Sequence, residues 1–149
     1  MSKCPANLWR AVHTGEFPNG PIRDGEPAPG VLYPTFERKA IGTLPNGKTK
    51  YREPDVRVDD DGMVQAGGGT SLYDRDAFFR GRSWRYMLIP KNTEVDPNLV
   101  ITGPERNDFF DANHYQIEAA KPMFLATFKG ALDNLARSAV KKAYEDARR

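Results

Sequence analysis

Cysteine, histidine and long apolar runs are all scarce in this chain. Its 149 residues hold one cysteine, Cys4, and two histidines, His13 and His114. A lone cysteine permits no internal disulfide and gives no sign of an oxidising compartment. Without HExxH or paired CxxC, these residues cannot form a standard zinc set, so no metal site is expected. The longest apolar runs, such as Tyr86-Met-Leu-Ile89, are a few residues long, against the ~20 a spanning helix needs. Met1-Ser-Lys-Cys-Pro-Ala6 lacks the apolar core of a secretory signal. A cytoplasmic protein is therefore expected, with any export signal-independent. An excess of one charge is missing too. The 22 basic and 20 acidic residues leave a net +2, which is no nucleic-acid signature over the whole chain.

Backbone punctuation, in contrast, is abundant. There are 12 prolines and 13 glycines, and 17 of these 25 fall between Gly15 and Gly69. No helical period survives there, because the prolines keep resetting the backbone and removing donors. Asn19-Gly20, Asp24-Gly25, Asn46-Gly47 and Asp61-Gly62 are turn pairs. Short extended pieces fit at Val31–Tyr33 and Tyr51–Val58. Tyr33, Phe36 and Tyr51 supply anchors, so the stretch is expected to be largely ordered. Hydrophobic content of 39% and aromatic content of 11% argue against wholesale disorder.

Outside this stretch the pattern sharpens. Asn7–His13 reads as a strand with Leu8, Arg10 and Val12 on one face. Leu72–Phe79 reads as a strand end followed by a short helix. Trp84–Ile89, Leu99–Ile101 and His114–Ile117 read as further strands. From Pro122, Leu125, Phe128, Leu132, Leu135, Ala139 and Ala143 recur at spacings of three and four, which predicts a long amphipathic helix. Asp133 with Arg137, Lys141 with Glu145 and Glu145 with Arg149 are opposite charges four apart on it. From Lys121 onward the chain has seven basic and three acidic residues. One domain over residues 1–149 accommodates all of this.

Familiar site motifs are excluded one by one. Gly67-Gly-Gly-Thr-Ser71 is no P-loop, since no Gly-Lys-Ser/Thr follows. It is no GxGxxG, because Leu72 takes the last glycine position, and only half a nucleophile elbow, because Tyr73 replaces the second glycine. Asp59–Asp61 lacks the spacing and the Glu of an EF-hand.

Three pieces stand out together: an arginine in an apolar strand, Leu8-Trp-Arg-Ala-Val12; a glycine run entering adjacent hydroxyls, Gly68-Gly-Thr-Ser71; and a histidine opening a late strand, His114-Tyr-Gln-Ile117, followed by Ala120-Lys-Pro-Met123. With Arg52-Glu-Pro-Asp55, Leu72-Tyr-Asp-Arg75, Ile89-Pro90 and Leu132-Asp-Asn134, the arrangement resembles the ADP-ribosyltransferases. More closely, it is similar to the ADP-ribosyltransferase-like toxin family typified by the second exported effector of a bacterial type VI secretion system. The likeness is dense from Gly68 onward, and residues 14–50 contribute almost nothing to it.

The resemblance implies an α+β fold with an ADP-ribosyltransferase-like split β-sandwich core and a long C-terminal helix. It implies NAD as a substrate, a macromolecular target inside a cell, a neutralising immunity protein in the producing cell, and a monomer. Ser71 and His114 are the implied catalytic residues. Arg10, Thr70, Ser71, Arg52, Arg75 and Gln116 are implied to contact the dinucleotide. The residue types suit that chemistry. A planar guanidinium grips phosphate or ribose, glycines let the backbone approach a ligand, and a histidine either bonds a ribose hydroxyl or moves a proton near neutral pH. One departure from the pattern concerns the carboxylate. Many relatives of this kind place a glutamate on a late strand to stabilise the ribosyl cation. Here Gln116-Ile-Glu118 spells Gln-x-Glu, but directly after His114. Either His114 or Gln116 replaces the acid, or the transfer chemistry differs, or the enzyme is weak. The alternatives are an RNA 2′-phosphotransferase-like enzyme and a cytotoxic binding module with a vestigial cleft. Each residue also has an ordinary reading, such as Ser71-x-x-Asp74 forming a helix capping box.

Overall fold

The computed structural model describes residues 2–148. Its strands, in chain order, are β1 (Leu8–His13), β2 (Ile22–Arg23), β3 (Glu26–Pro27), β4 (Lys39–Thr43), β5 (Thr49–Arg52), β6 (Met63–Val64), β7 (Gly69–Tyr73), β8 (Trp84–Ile89), β9 (Leu99–Asn107), β10 (Ala112–Ala119) and β11 (Met123–Phe124). Helix α1 (Leu125–Ala147) follows. Five strands form one sheet in the order β8-β1-β7-β10-β9, with every neighbouring pair antiparallel. β2 with β3, β4 with β5, and β6 with β11 form separate antiparallel pairs. The class is α+β.

Strand alternation gives the sheet two unlike faces. Leu8, Leu72, Met87, Ile89 and Ile117 are fully buried on one of them. Against that face α1 lays Phe128, Ala131, Leu132, Leu135, Ala136 and Ala139. The spacing of three and four puts these on one stripe of the helix. Burying each large side chain among them contributes roughly 1.5–3 kcal/mol. The other face carries an aromatic cluster instead, in which the Tyr73 ring lies 4.4 Å from Phe78 and 5.1 Å from Phe110.

The helix starts later than its proline suggests. Pro122 precedes β11, whose Met123 and Phe124 pair with Val64 and Met63. Phe124 is the extended N-cap residue and offers no side-chain cap. The Leu125 amide donates to the Gly62 carbonyl at 3.1 Å, so the loop supplies a partner that the cap lacks. The expected charge pairs also rearrange. Asp133 accepts the Tyr33 hydroxyl at 2.7 Å, Arg137 donates to Asn134, and Lys142 pairs with Asp146 at 2.7 Å. The Glu145–Arg149 pair lies outside the described residues.

Two other segments differ from expectation. No helix follows β7. Asp74 accepts the Asn113 amide at 2.7 Å and its side-chain amide at 2.9 Å, so it is tied to β10 and caps nothing. β9 runs on through Gly103-Pro104 to Asn107, beyond the Leu99–Ile101 strand read from the sequence. It is an edge strand, on which a missing N–H can face outward without costing a ladder bond. Gly103 is required there, because a Cβ would lie 2.8 Å from the His114 carbonyl oxygen.

The proline-rich stretch is ordered by contacts with the body. Val31 and Leu32 are buried in a turn rather than a strand. Tyr33 bonds α1 through Asp133, and Phe36 packs edge-on against Phe128 at 6.1 Å. Thr35 and Asp55 exchange hydrogen bonds: the Thr35 amide donates to the Asp55 carboxylate at 3.0 Å, and the Asp55 amide donates to the Thr35 hydroxyl at 2.9 Å.

Candidate functional site

The alternation of β10 decides which residues meet. Tyr115, Ile117 and Ala119 are buried on the helix side. His114, Gln116 and Glu118 therefore stand together on the other face. Register extends this line across the neighbouring strands. Gln116 has Ser71 on one side and Thr102 on the other. His114 has Tyr73 and Glu105, and Glu118 has Gly69 and Val100. Directly opposed Cβ atoms in such ladders are about 4.5–5.5 Å apart. The result is a small grid of polar side chains.

Gly69 permits the closest approach in this grid. A Cβ there would lie 1.8 Å from the Ile117 carbonyl oxygen, so no other residue fits. Gly68 is constrained similarly by Asp55, whose carbonyl oxygen would be 2.1 Å from an added Cβ. The glycine run is thus dictated by chain packing at both positions.

A concavity of about 490 Å³ opens over β9 and β10, lined by Thr102 to Glu105 together with His114, Gln116 and Glu118. Its charged lining groups are the carboxylates of Glu105 and Glu118, with no cation. Glu118 is held firmly. One of its oxygens accepts the Gly67 amide at 3.1 Å, and the other accepts the Thr102 hydroxyl at 2.5 Å. Burial lowers the pKa of His114, while Glu105 opposes that shift. Burial thus favours the neutral imidazole over the charged one. Tyr73 lies 5.0 Å from the imidazole, ring to ring. Burial raises its pKa, with an Asn107 hydrogen bond opposing.

The arginines and Thr70 stand elsewhere. Arg10 and Thr70 point to the helix side of the sheet. Arg10 donates to the carbonyls of Val31 at 3.4 Å and Tyr33 at 3.0 Å, and Thr70 donates to Leu32 at 2.6 Å. Three consecutive carbonyls of one buried turn are thus satisfied by two side chains from the sheet. Burial lowers the Arg10 pKa, Asp55 and Glu16 oppose that shift, and Arg52 adds to it. Arg52 is exposed and pairs with Asp55 at 3.7 Å. Arg75 is exposed, donates to the Phe110 carbonyl at 2.9 Å and stands 4.0 Å from Asp111.

Of the residues singled out from sequence, the structure therefore brings Ser71, His114 and Gln116 together. It places Arg10 and Thr70 behind them, and Arg52 and Arg75 at the surface. Glu118, whose Gln-x-Glu was set apart by its place directly after His114, lines the concavity with His114 and Gln116, as do Thr102 and Glu105. The period of two in His114-x-Gln116-x-Glu118 already carried the signal for Glu118. Thr102 and Glu105 follow only from pairing across the bulge between His114 and Gln116.

A family model described as Tse2 ADP-ribosyltransferase toxin matches residues 5–144. Toxin Tse2 of Pseudomonas aeruginosa is 30% identical over 156 residues, an overlap that covers 98% of this chain and 95% of that protein. The match takes in β1, the glycine run, β10 and nearly all of α1. The chain belongs to the Tse2 ADP-ribosyltransferase toxin family.

Proposed function

We propose that this toxin cleaves NAD and transfers ADP-ribose to a macromolecule inside the cell it enters. The observation that carries this reading is the line His114, Gln116 and Glu118 in a concavity whose charged lining groups are carboxylates, with Ser71 beside Gln116 on the next strand. The reacting end of NAD is a pyridinium. When its bond to ribose breaks heterolytically, the electron pair goes to the nicotinamide nitrogen and positive charge passes to the ribose carbon. Fixed carboxylates beside that carbon stabilise the transition state more than the ground state. The acceptor then bonds to the same carbon and gives its proton to neutral His114. Ser71 and Gln116 orient the ribose and the carboxamide.

In the present reading the diphosphate falls to Arg52 and Arg75. Arg10 uses two of its ~5 N–H donors on the 31–33 turn, and with Thr70 it braces that turn from behind the sheet. The five-stranded sheet is one half of an ADP-ribosyltransferase-like split β-sandwich. The toxin acts as a monomer in the cytoplasm, and a neutralising immunity protein holds it in check in its producer. Brief expression in a sensitive host, followed by mass spectrometry of host macromolecules, tests this. ADP-ribose adducts should form with the unaltered chain and vanish with Ser71→Ala and His114→Ala. Toxicity retained by both variants without adducts would refute it.

A further inference from the structure

Residues 37–53 form the hairpin β4–β5 and its flanks, and every one of them is exposed. The turn is well built. Leu44-Pro45-Asn46-Gly47 closes with the Gly47 amide on the Leu44 carbonyl at 2.9 Å, and the Leu44 amide bonds the Lys48 carbonyl at 2.8 Å. Pro45 suits the first central position, and Gly47 takes the left-handed φ of 84° that such a three-residue connection requires. An isolated two-stranded hairpin is marginal in water. This one gains nothing from a core of its own.

Its charge is unlike the rest of the molecule. Arg38, Lys39, Lys48, Lys50 and Arg52 stand against Glu37 and Glu53. The segment is +3 in a chain whose total is +2. Register sorts these groups. Lys39 is opposite Arg52, and Lys50 is opposite Gly42, so three cations share one face. The second face carries Tyr51 opposite Ala40 and Thr49 opposite Thr43. The Arg38 guanidinium covers the Tyr51 ring at 3.7 Å. Ile41 is 53% exposed and Leu44 37%.

We propose that the β4–β5 hairpin docks onto an acidic surface of a partner protein, with Ile41 and Leu44 entering an apolar patch inside the acidic rim. Cations beside exposed aliphatic side chains match the polar rim and apolar centre of protein interfaces. Nucleic acid fits less well. Ile41 and Leu44 have no π-face to stack on a base, and Arg38 already occupies the face of Tyr51. Residues 37–50 of the stretch also lie in the part of the sequence that contributes almost nothing to the family resemblance. Lys39, Ile41, Leu44 and Lys50, on which the docking rests, have no part in the NAD chemistry proposed above.

The test uses the full chain and, as probe, an amphipathic peptide with glutamates on one face and leucines on the other. Polyglutamate and single-stranded RNA of equal length are the comparisons. Calorimetry and amide chemical shifts are recorded at physiological salt. The proposal expects saturable peptide binding, with shifts confined to residues 38–52. Lys39→Glu/Lys50→Glu should weaken it about tenfold, equal to about 1.4 kcal/mol. Ile41→Ser/Leu44→Ser should weaken it about threefold or more and bring it down to the polyglutamate level. All four positions are exposed, so unchanged thermal midpoints will show that the variants fold. Absent binding, shifts elsewhere, indifference to the charge reversal, or tighter binding of RNA would each overturn the proposal.

Discussion

Ser71 on β7 and Gln116 on β10 are direct cross-strand partners. Their pairing aligns the hydroxyl that ends the glycine run with the His114-x-Gln116-x-Glu118 face. Everything proposed for the site depends on this register, and the register depends on a glycine two residues before Ser71.

Gly69→Ala should break that alignment. The added methyl would overlap the Ile117 carbonyl oxygen at 1.8 Å, and backbone cannot give way cheaply. The expected loss is roughly 3 kcal/mol or more, read by urea denaturation. A change within ~0.5 kcal/mol would mean that β7 and β10 are not in this register.

Arg10→Ala tests the brace behind the sheet. It strips donors from the Val31 and Tyr33 carbonyls, and each buried acceptor left unpaired costs about 1–3 kcal/mol. Unfolding without NAD should lose about 2–6 kcal/mol. Arg10→Lys should recover only part of it, since an ammonium lacks the planar fork. Unchanged stability with lost activity would instead make Arg10 a pure ligand contact.

His114 should give stability a pH dependence of known sign. Its folded pKa is below the ordinary 6.5, so the unfolded chain binds more protons in the window between the two values. Stability then rises with pH through that window. It is fully present above pH 6.5 and lost as pH falls through the folded value. His114→Gln should flatten this part of the profile, measured as urea midpoints against pH. A profile unaltered by the substitution would show that another group is responsible.

Gly130→Ala should stabilise the toxin. Gly130 is exposed within α1, and an added Cβ meets nothing within 4 Å. Replacing glycine by alanine in a helix interior is worth about 0.5–1 kcal/mol. A raised thermal midpoint with unchanged activity is the expected result. A lowered one would contradict the open surface at that position.

The strands were legible wherever alternation was strong. Leu8, Arg10 and Val12 on one face of β1 follow directly from their spacing, as does the apolar stripe of α1. Boundaries set by tertiary contacts were not legible. Pro122 marks the start of a helix by local rules, yet β6 captures Met123 and Phe124 first. Ser71-x-x-Asp74 spells a capping box, yet Asn113 takes the carboxylate. The site was half legible. Ser71, His114 and Gln116 stand on one face of the sheet. Arg10 and Thr70 turn to the helix side because the odd-even parity of β1 and β7 sends them there. Glu118 was readable from the same parity in β10, while Glu105 and Thr102 depend on a bulge that no local pattern announces.

The central claim is that His114, Gln116 and Glu118, with Ser71, form an NAD-cleaving site. The most direct measurement incubates the purified chain with NAD labelled in its ADP-ribose half and an extract of sensitive cells. The account predicts macromolecule-bound label with the unaltered chain, and a loss of about 100-fold or more with His114→Ala and with Glu118→Gln. A folded, toxic chain that transfers no label and consumes no NAD would contradict it.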